Sequence, residues 1–181
     1  MLTSSAGSRL ATKVNIAKQS LISRKPLRSV QNMRWLMALR GVAYEKKGQY
    51  GQAIANYSKV ISMHPKDAMT YLQRGCAYYH KDMYNSAISD FTTAIALNPK
   101  NARGYCNRGL AQTKMGQLNQ AISDYSKALD LNPMDADAYF DRGTAYYYKG
   151  QYDQACSDWK RACELGLCAN YDWAERNGVC Q

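Results

Sequence analysis

Small and aromatic residues recur along this chain in one register, with polar positions between them. Ala53, Ala87, Ala121 and Ala155 stand 34 residues apart, and Tyr57, Phe91, Tyr125 and Trp159 each follow by 4. Gly41, Gly75, Gly109 and Gly143 precede the same alanines by 12. Such spacing predicts pairs of amphipathic helices, with a small residue where two backbones approach and an aromatic ring filling the gap beside it. One pair cannot bury its own apolar face, so the pattern predicts a stack.

Polar punctuation sets the boundaries. Pro65, Pro99 and Pro133 close three of the units, because Pro cannot continue a helix. Asp67, Asn101 and Asp135, two residues later, are the expected N-caps of the next helix. The turns inside the units read Lys47-Gly48-Gln49, Lys81-Asp82-Met83, Met115-Gly116-Gln117 and Lys149-Gly150-Gln151. Three contain the Gly that favours a helix C-terminus, and the turn with Asp82 is expected to be the more strained.

Gly75, Tyr78, Ala87, Phe91, Ala94 and Pro99 together resemble the Gly, Tyr, Ala, aromatic, Ala and Pro columns of the tetratricopeptide repeat. The resemblance implies an all-α, right-handed superhelical solenoid of antiparallel helix pairs. Its units fall at 34–67, 68–101, 102–135 and 136–169, after a basic extension at 1–33 and before a closing helix and tail at 170–181. Gln112 replaces the first-helix Tyr of the third unit, and Leu167 replaces the terminal Pro of the fourth; the second departure implies that the array ends there.

In this family the first helices line a concave, partner-binding face. Carried over residue by residue, that face presents Trp35 and Leu39, then Met69, Leu72, Gln73 and His80, then Arg103, Asn107, Leu110 and Lys114, then Phe140, Asp141 and Tyr148. Ala38, Val42, Cys76, Cys106, Asp137 and Thr144 stand among them. The mixture suits a peptide or helix of another protein. Family members that grip the acidic tails of heat-shock chaperones use two Lys, two Asn and an Arg, whereas the matching places here read Ala38, Val42, Gln73, Arg103 and Asn107. One cation among five argues against that mode, and a shift by one repeat brings in Asp137 and Asp141, which would repel it.

An Arg precedes each Gly of the column, and Arg74, Arg108 and Arg142 are followed by Asp90, Asp124 and Asp158 after 16 residues, with Asn56 at that place in the first unit. A polyanion surface and a ladder of ion pairs compete for this pattern. Regular opposite charges favour the ladder, because paired charges are seldom left available to ligands.

Net charge is +10, and its distribution matters more than its size. Residues 1–44 hold no Asp or Glu and eight basic residues, so eight of the ten excess positive charges lie there. Leu10, Val14, Ala17 and Leu21 fall at helical spacing beside Arg9, Lys13 and Lys18, consistent with a basic amphipathic helix. The arm's serines and lack of acids also resemble an organelle transit peptide. A solvated tail, targeting, and contact of residues 9–34 with an anionic membrane or nucleic acid all remain open readings.

No apolar run approaches the roughly 20 residues that cross a bilayer, so the chain reads as soluble; the cytoplasm is favoured, with an organelle or an extracytoplasmic site open. Six cysteines contain no C-x-x-C pair, and His64 and His80 are the two histidines, so no metal site and no cofactor are expected. The stretch from Ala155 to Gly166 resembles the last repeat of many bacterial tetratricopeptide proteins, and the segment from Cys168 to Cys180 resembles their Cys-flanked closing helix. That resemblance implies a Cys168–Cys180 disulfide outside the cytoplasm; free buried thiols are the alternative. No catalytic residue is expected, since neither H-E-x-x-H, a phosphate loop nor a nucleophile elbow occurs. The chain therefore reads as a non-enzymatic adaptor or scaffold, with self-association through an open end of the array, or a peripheral membrane or RNA role of the basic arm, as alternatives.

Overall fold

The computed structural model describes residues 30–180. The amphipathic segment expected at 9–23 and the transit-like serines lie outside the described residues. Those described form helices only: α1 (Val30–Lys46), α2 (Tyr50–Met63), α3 (Ala68–Tyr79), α4 (Tyr84–Leu97), α5 (Ala102–Lys114), α6 (Leu118–Leu131), α7 (Ala136–Tyr148), α8 (Tyr152–Glu164) and α9 (Ala169–Arg176). Contacts divide the chain between Leu36 and Met37, and the helices pack as follows within residues 37–180.

Within each pair the small-residue columns let the backbones close. A Cβ on Gly109 would lie 2.8 Å from Tyr125 Cε1, and one on Gly75 would lie 2.6 Å from Phe91 Cε1. Each aromatic ring therefore occupies space that only Gly leaves. The alanines opposite, Ala53, Ala87, Ala121 and Ala155, are fully buried. Between pairs, successive first helices α3, α5 and α7 touch one another, which second helices do not do to the same extent. First helices accordingly sit on the inside of the curve of an all-α solenoid.

The turns follow backbone chemistry. Gly48, Gly116 and Gly150 adopt φ of 70°, 73° and 73°, and Asp82 adopts 58° at the same place in the second unit. A side chain at positive φ is strained, and Asp82 is held there while the Tyr84 hydroxyl donates to its carboxylate at 2.6 Å. Asp82→Ala, which keeps the strain and loses the bond, should destabilise by about 1 kcal/mol. Asp82→Gly should stay within about 0.5 kcal/mol of the parent, because relief of strain offsets the lost bond and the added chain entropy. Equal melting of the Ala and Gly variants would remove the strain argument.

The Arg column forms the ladder. Arg108 Nε and Nη2 donate to the two Asp124 carboxylate oxygens at 2.7 Å each. Arg74 holds Asp90 and Arg142 holds Asp158 in the same two-pronged way. The third guanidinium arm reaches the preceding unit: Arg74 to Ser58 at 3.0 Å, Arg108 to Thr92 at 3.1 Å and Arg142 to Ser126 at 2.9 Å. Each Arg thus ties its own pair together and also ties it to the neighbour. A double-mutant cycle on Arg108 and Asp124 should return a coupling of about 1–2 kcal/mol in thermal or urea unfolding. A coupling near zero would mean the pair adds nothing to the stack.

At the C-terminal end α9 lies against α8. Ala174 is fully buried with Ala155 and Trp159, and Tyr171 and Val179 pack around them. The cysteines join differently from the expected Cys168–Cys180 bridge. Cys156 of α8 pairs with Cys180, and Cys163 pairs with Cys168. The reason is topological: α9 turns back along α8, which carries Cys180 to the middle of α8 and leaves Cys168 beside the end of the same helix. Cys76 and Cys106 are free.

Candidate functional site

Two helix starts build a recess on the inner face. The Asn101 side chain accepts the Arg103 backbone N–H at 3.2 Å, and the Asp135 side chain accepts that of Ala138 at 3.1 Å. These caps begin α5 and α7, and between the two helices lies a cavity of about 640 Å³. Arg103, Cys106, Asn107 and Leu110 line it from α5, and Asp137, Ala138 and Asp141 from α7. Lys100, Asn132 and Asp135 close it from the inter-repeat loops.

The cavity is electrically two-sided, with Lys100 and Arg103 on one wall and Asp135, Asp137 and Asp141 on the other. Burial, reinforced by Asp137 and Asp135, pushes the Asp141 carboxyl up to about 7. Burial also pushes the Cys106 thiol up to about 12, with Asp135, Asp141 and Asp137 adding to it. The Cys76 thiol is pushed up to about 11, again first by burial, and it accepts a hydrogen bond from Asn107 Nδ2 at 3.2 Å. Both thiols are therefore protonated at neutral pH, the unreactive form.

Of the face residues inferred from sequence, Arg103, Asn107, Leu110 and Asp141 come together at this cavity. Trp35, Leu39, Met69 and Tyr148 are exposed elsewhere on the first helices, Lys114 is exposed and Gln73 is half-buried. His80, at the end of α3, stacks on Tyr50 with ring centroids 4.9 Å apart.

Two expected face residues are corrected. Leu72 is 3% exposed within the core around Ala87, Phe91 and Ala111, because its place on α3 faces α4 of its own pair and α5 of the next. Phe140 packs on Ala155, Trp159 and Ala174, and its carbonyl accepts from Trp159 Nε1 at 3.3 Å. Leu72 is therefore core, whereas Phe140 is half-buried and gives only part of its ring to this packing. Lys100 and Asn132 were missed as wall residues, and Asp135 was read only as a cap. Their position in the loops just before first helices is the signal that could have found them.

The family model described as TPR repeat matches residues 41–82, 77–116 and 111–147, and that described as Tetratricopeptide repeat matches 136–166. No curated protein sequence matches the chain. Among solved structures, a crystal structure of MamA is 29% identical, covers 91% of this chain and 96% of its own, and superposes with a TM-score of 0.72. The first TPR of Spaghetti (RPAP3), bound to the HSP90 peptide SRMEEVD, is 27% identical over 65% of this chain and 95% of its own, with a TM-score of 0.63. The second TPR domain of human RPAP3, in complex with the HSP70 peptide SGPTIEEVD, is 29% identical over 62% and 97%, with a TM-score of 0.59.

Proposed function

The chain belongs to the tetratricopeptide-repeat family, and from that premise we propose that it is a non-enzymatic adaptor whose α5/α7 groove holds a segment of a partner protein. The observation that carries this reading is the cavity of about 640 Å³ on the inner face, where Arg103, Asn107, Leu110 and Asp141 converge. An amide, an apolar side chain and charges of both signs within one groove can grip an extended or helical segment by backbone and side chain together. The two RPAP3 domains hold peptides ending in Glu-Glu-Val-Asp. Here Asp135, Asp137 and Asp141 would oppose such a tail, so the segment is basic or of mixed charge. The protonated state of both free thiols supports the non-enzymatic reading.

Two disulfides also favour an oxidising compartment over the cytoplasm. Among the described residues no helix is long and apolar enough to cross a membrane.

A photo-crosslinking residue at Arg103, with one at Ser123 on the outer helix α6 as control, tests the groove. The segment captured at Arg103 is identified, synthesised and titrated against the parent and Asn107→Ala. We expect Asn107→Ala, which also gives up the bond to the Cys76 thiol, to stay folded and to cost about 1–2 kcal/mol of affinity when titrated well below its melting transition. Capture at Ser123 alone, or equal affinity in both proteins, would end the groove reading.

A further inference from the structure

Among the described residues the ladder is open at one end, and what is missing there specifies a partner. Arg74, Arg108 and Arg142 each hold a carboxylate of their own pair and a hydroxyl of the preceding pair. Arg40, in the same column on α1, has Asn56 where the others have Asp. Among the described residues its guanidinium meets the Tyr44 hydroxyl alone, at 3.5 Å, and it is exposed.

The small-residue column tells the same story. Ala77, Ala111 and Ala145 on the later first helices are fully buried, packed with the preceding pair, as Ala77 is with Tyr57, Ala111 with Phe91 and Ala145 with Tyr125. Ala43, their counterpart, is exposed. In each later unit the covering residues form an aromatic-hydroxyl dipeptide on the neighbouring second helix: Tyr57-Ser58, Phe91-Thr92 and Tyr125-Ser126. α1 carries the receiving Arg and Ala without that dipeptide.

We propose that the face of α1 marked by Arg40 and Ala43 docks an amphipathic helix of another protein, one presenting an aromatic residue followed by a carboxylate. The aromatic covers Ala43. The carboxylate answers Arg40, which among the described residues meets neither an Asp of its own pair nor a hydroxyl of a preceding pair. A positive surround strengthens the choice of acid over hydroxyl, since Lys46 and Lys47 lie on and just beyond the same helix and its Glu45 is taken by the Tyr57 hydroxyl at 2.9 Å.

Register and charge argue against the nearer candidates. A second copy stacked end to end would offer Trp159-Lys160 at the covering position, placing Lys160 against Arg40, and two copies joined through α1 would oppose their Arg40 side chains. The preceding part of this chain has Ser23-Arg24 in that register and no acid anywhere in 1–44.

The probe is a fluorescein-labelled peptide with the α6 sequence, Leu118–Leu131, carrying Ser126→Asp. Fluorescence anisotropy against the full chain should show saturable binding below about 100 μM. Arg40→Glu, an exposed site outside the core, should weaken it at least tenfold, and so should Ser126→Lys in the peptide. The Arg40→Glu protein should then recover affinity for the Lys peptide. Three results would overturn the proposal: no saturable binding, affinity indifferent to Arg40→Glu, or binding that emerges only after residues 1–29 are deleted, which would assign the face to the chain's own N-terminal segment. Loss of self-association in Arg40→Glu, read by sedimentation, would assign it to a second copy and equally overturn it.

Discussion

Replacing Cys156 and Cys180 with Ser should lower the stability of the C-terminal end by about 3 kcal/mol under oxidising conditions. The bridge spans 24 residues, and fixing the ends of a loop of that length restricts the unfolded chain far more than the native one. Cys163 and Cys168 are 5 apart, so their bridge contributes less by the same logic. The loss should be local before it is global. α9 makes its principal contacts with α8, and a stacked array unravels from its ends. Amide exchange should therefore rise first in Ala169–Arg176, exposing the ring of Trp159 that Ala174 and Tyr171 now help to cover. With reductant present, the parent should converge on the variant. Thiol titration of the unfolded, unreduced protein should find Cys76 and Cys106 alone. Six titratable thiols, or identical melting of parent and variant without reductant, would remove both bridges from the account.

What the sequence made legible was whatever repeats. A 34-residue period cannot arise from one helix pair, and the Gly, Ala and aromatic columns each have a packing reason visible without coordinates. The Arg and Asp columns were readable as pairs for the same reason. The hydroxyls of Ser58, Thr92 and Ser126 repeat as faithfully, yet their bond to the next unit depends on where the third arm of a guanidinium points, which spacing alone does not give. Leu72 and Phe140 show a second limit. A residue on the inner helix faces either the groove or the adjoining pair according to a fraction of a turn, and the resemblance assigns it only to the helix. Cys168 and Cys180 show a third, since partners among four clustered thiols follow from how α9 folds back along α8. The α5/α7 cavity was half legible. Its helix residues came from the family geometry, whereas Lys100, Asn132 and Asp135 reach it from loops whose direction the pattern leaves open.

Asp141 gives the cavity a pH dependence whose sign can be worked out. An unfolded aspartate releases its proton near 3.8, and in the fold Asp141 is pushed up to about 7 by burial and by Asp137 and Asp135. Below about pH 4 both states keep the proton and the group is silent. Between about 4 and 7 the unfolded chain alone ionises, so stability falls steadily as pH rises through this window; above 7 both states are ionised and the loss is complete. A shift of this size corresponds to about 4 kcal/mol for a fully enclosed group, and partial exposure to the cavity reduces it to roughly 2–3. Asp141→Asn has the same shape and no charge. Its stability should match the parent at pH 4 and exceed it by about 2–3 kcal/mol at pH 8, measured by urea unfolding at both pH values. The other groups around the carboxyl, Asp137 on its own helix, Asp135 at that helix's cap, and Cys106, Arg103 and Lys100 across the cavity, are present in both proteins, so their common titration cancels in the difference. A difference that does not change with pH would place the Asp141 titration elsewhere. The same penalty is a handle for a ligand: a cationic side chain entering the cavity would pull the carboxyl back down and recover the lost energy as affinity. Binding of a basic segment should accordingly release less than one proton at pH 6 to 7 from the parent and none from Asp141→Asn, a difference calorimetry in buffers of different ionisation enthalpy can read.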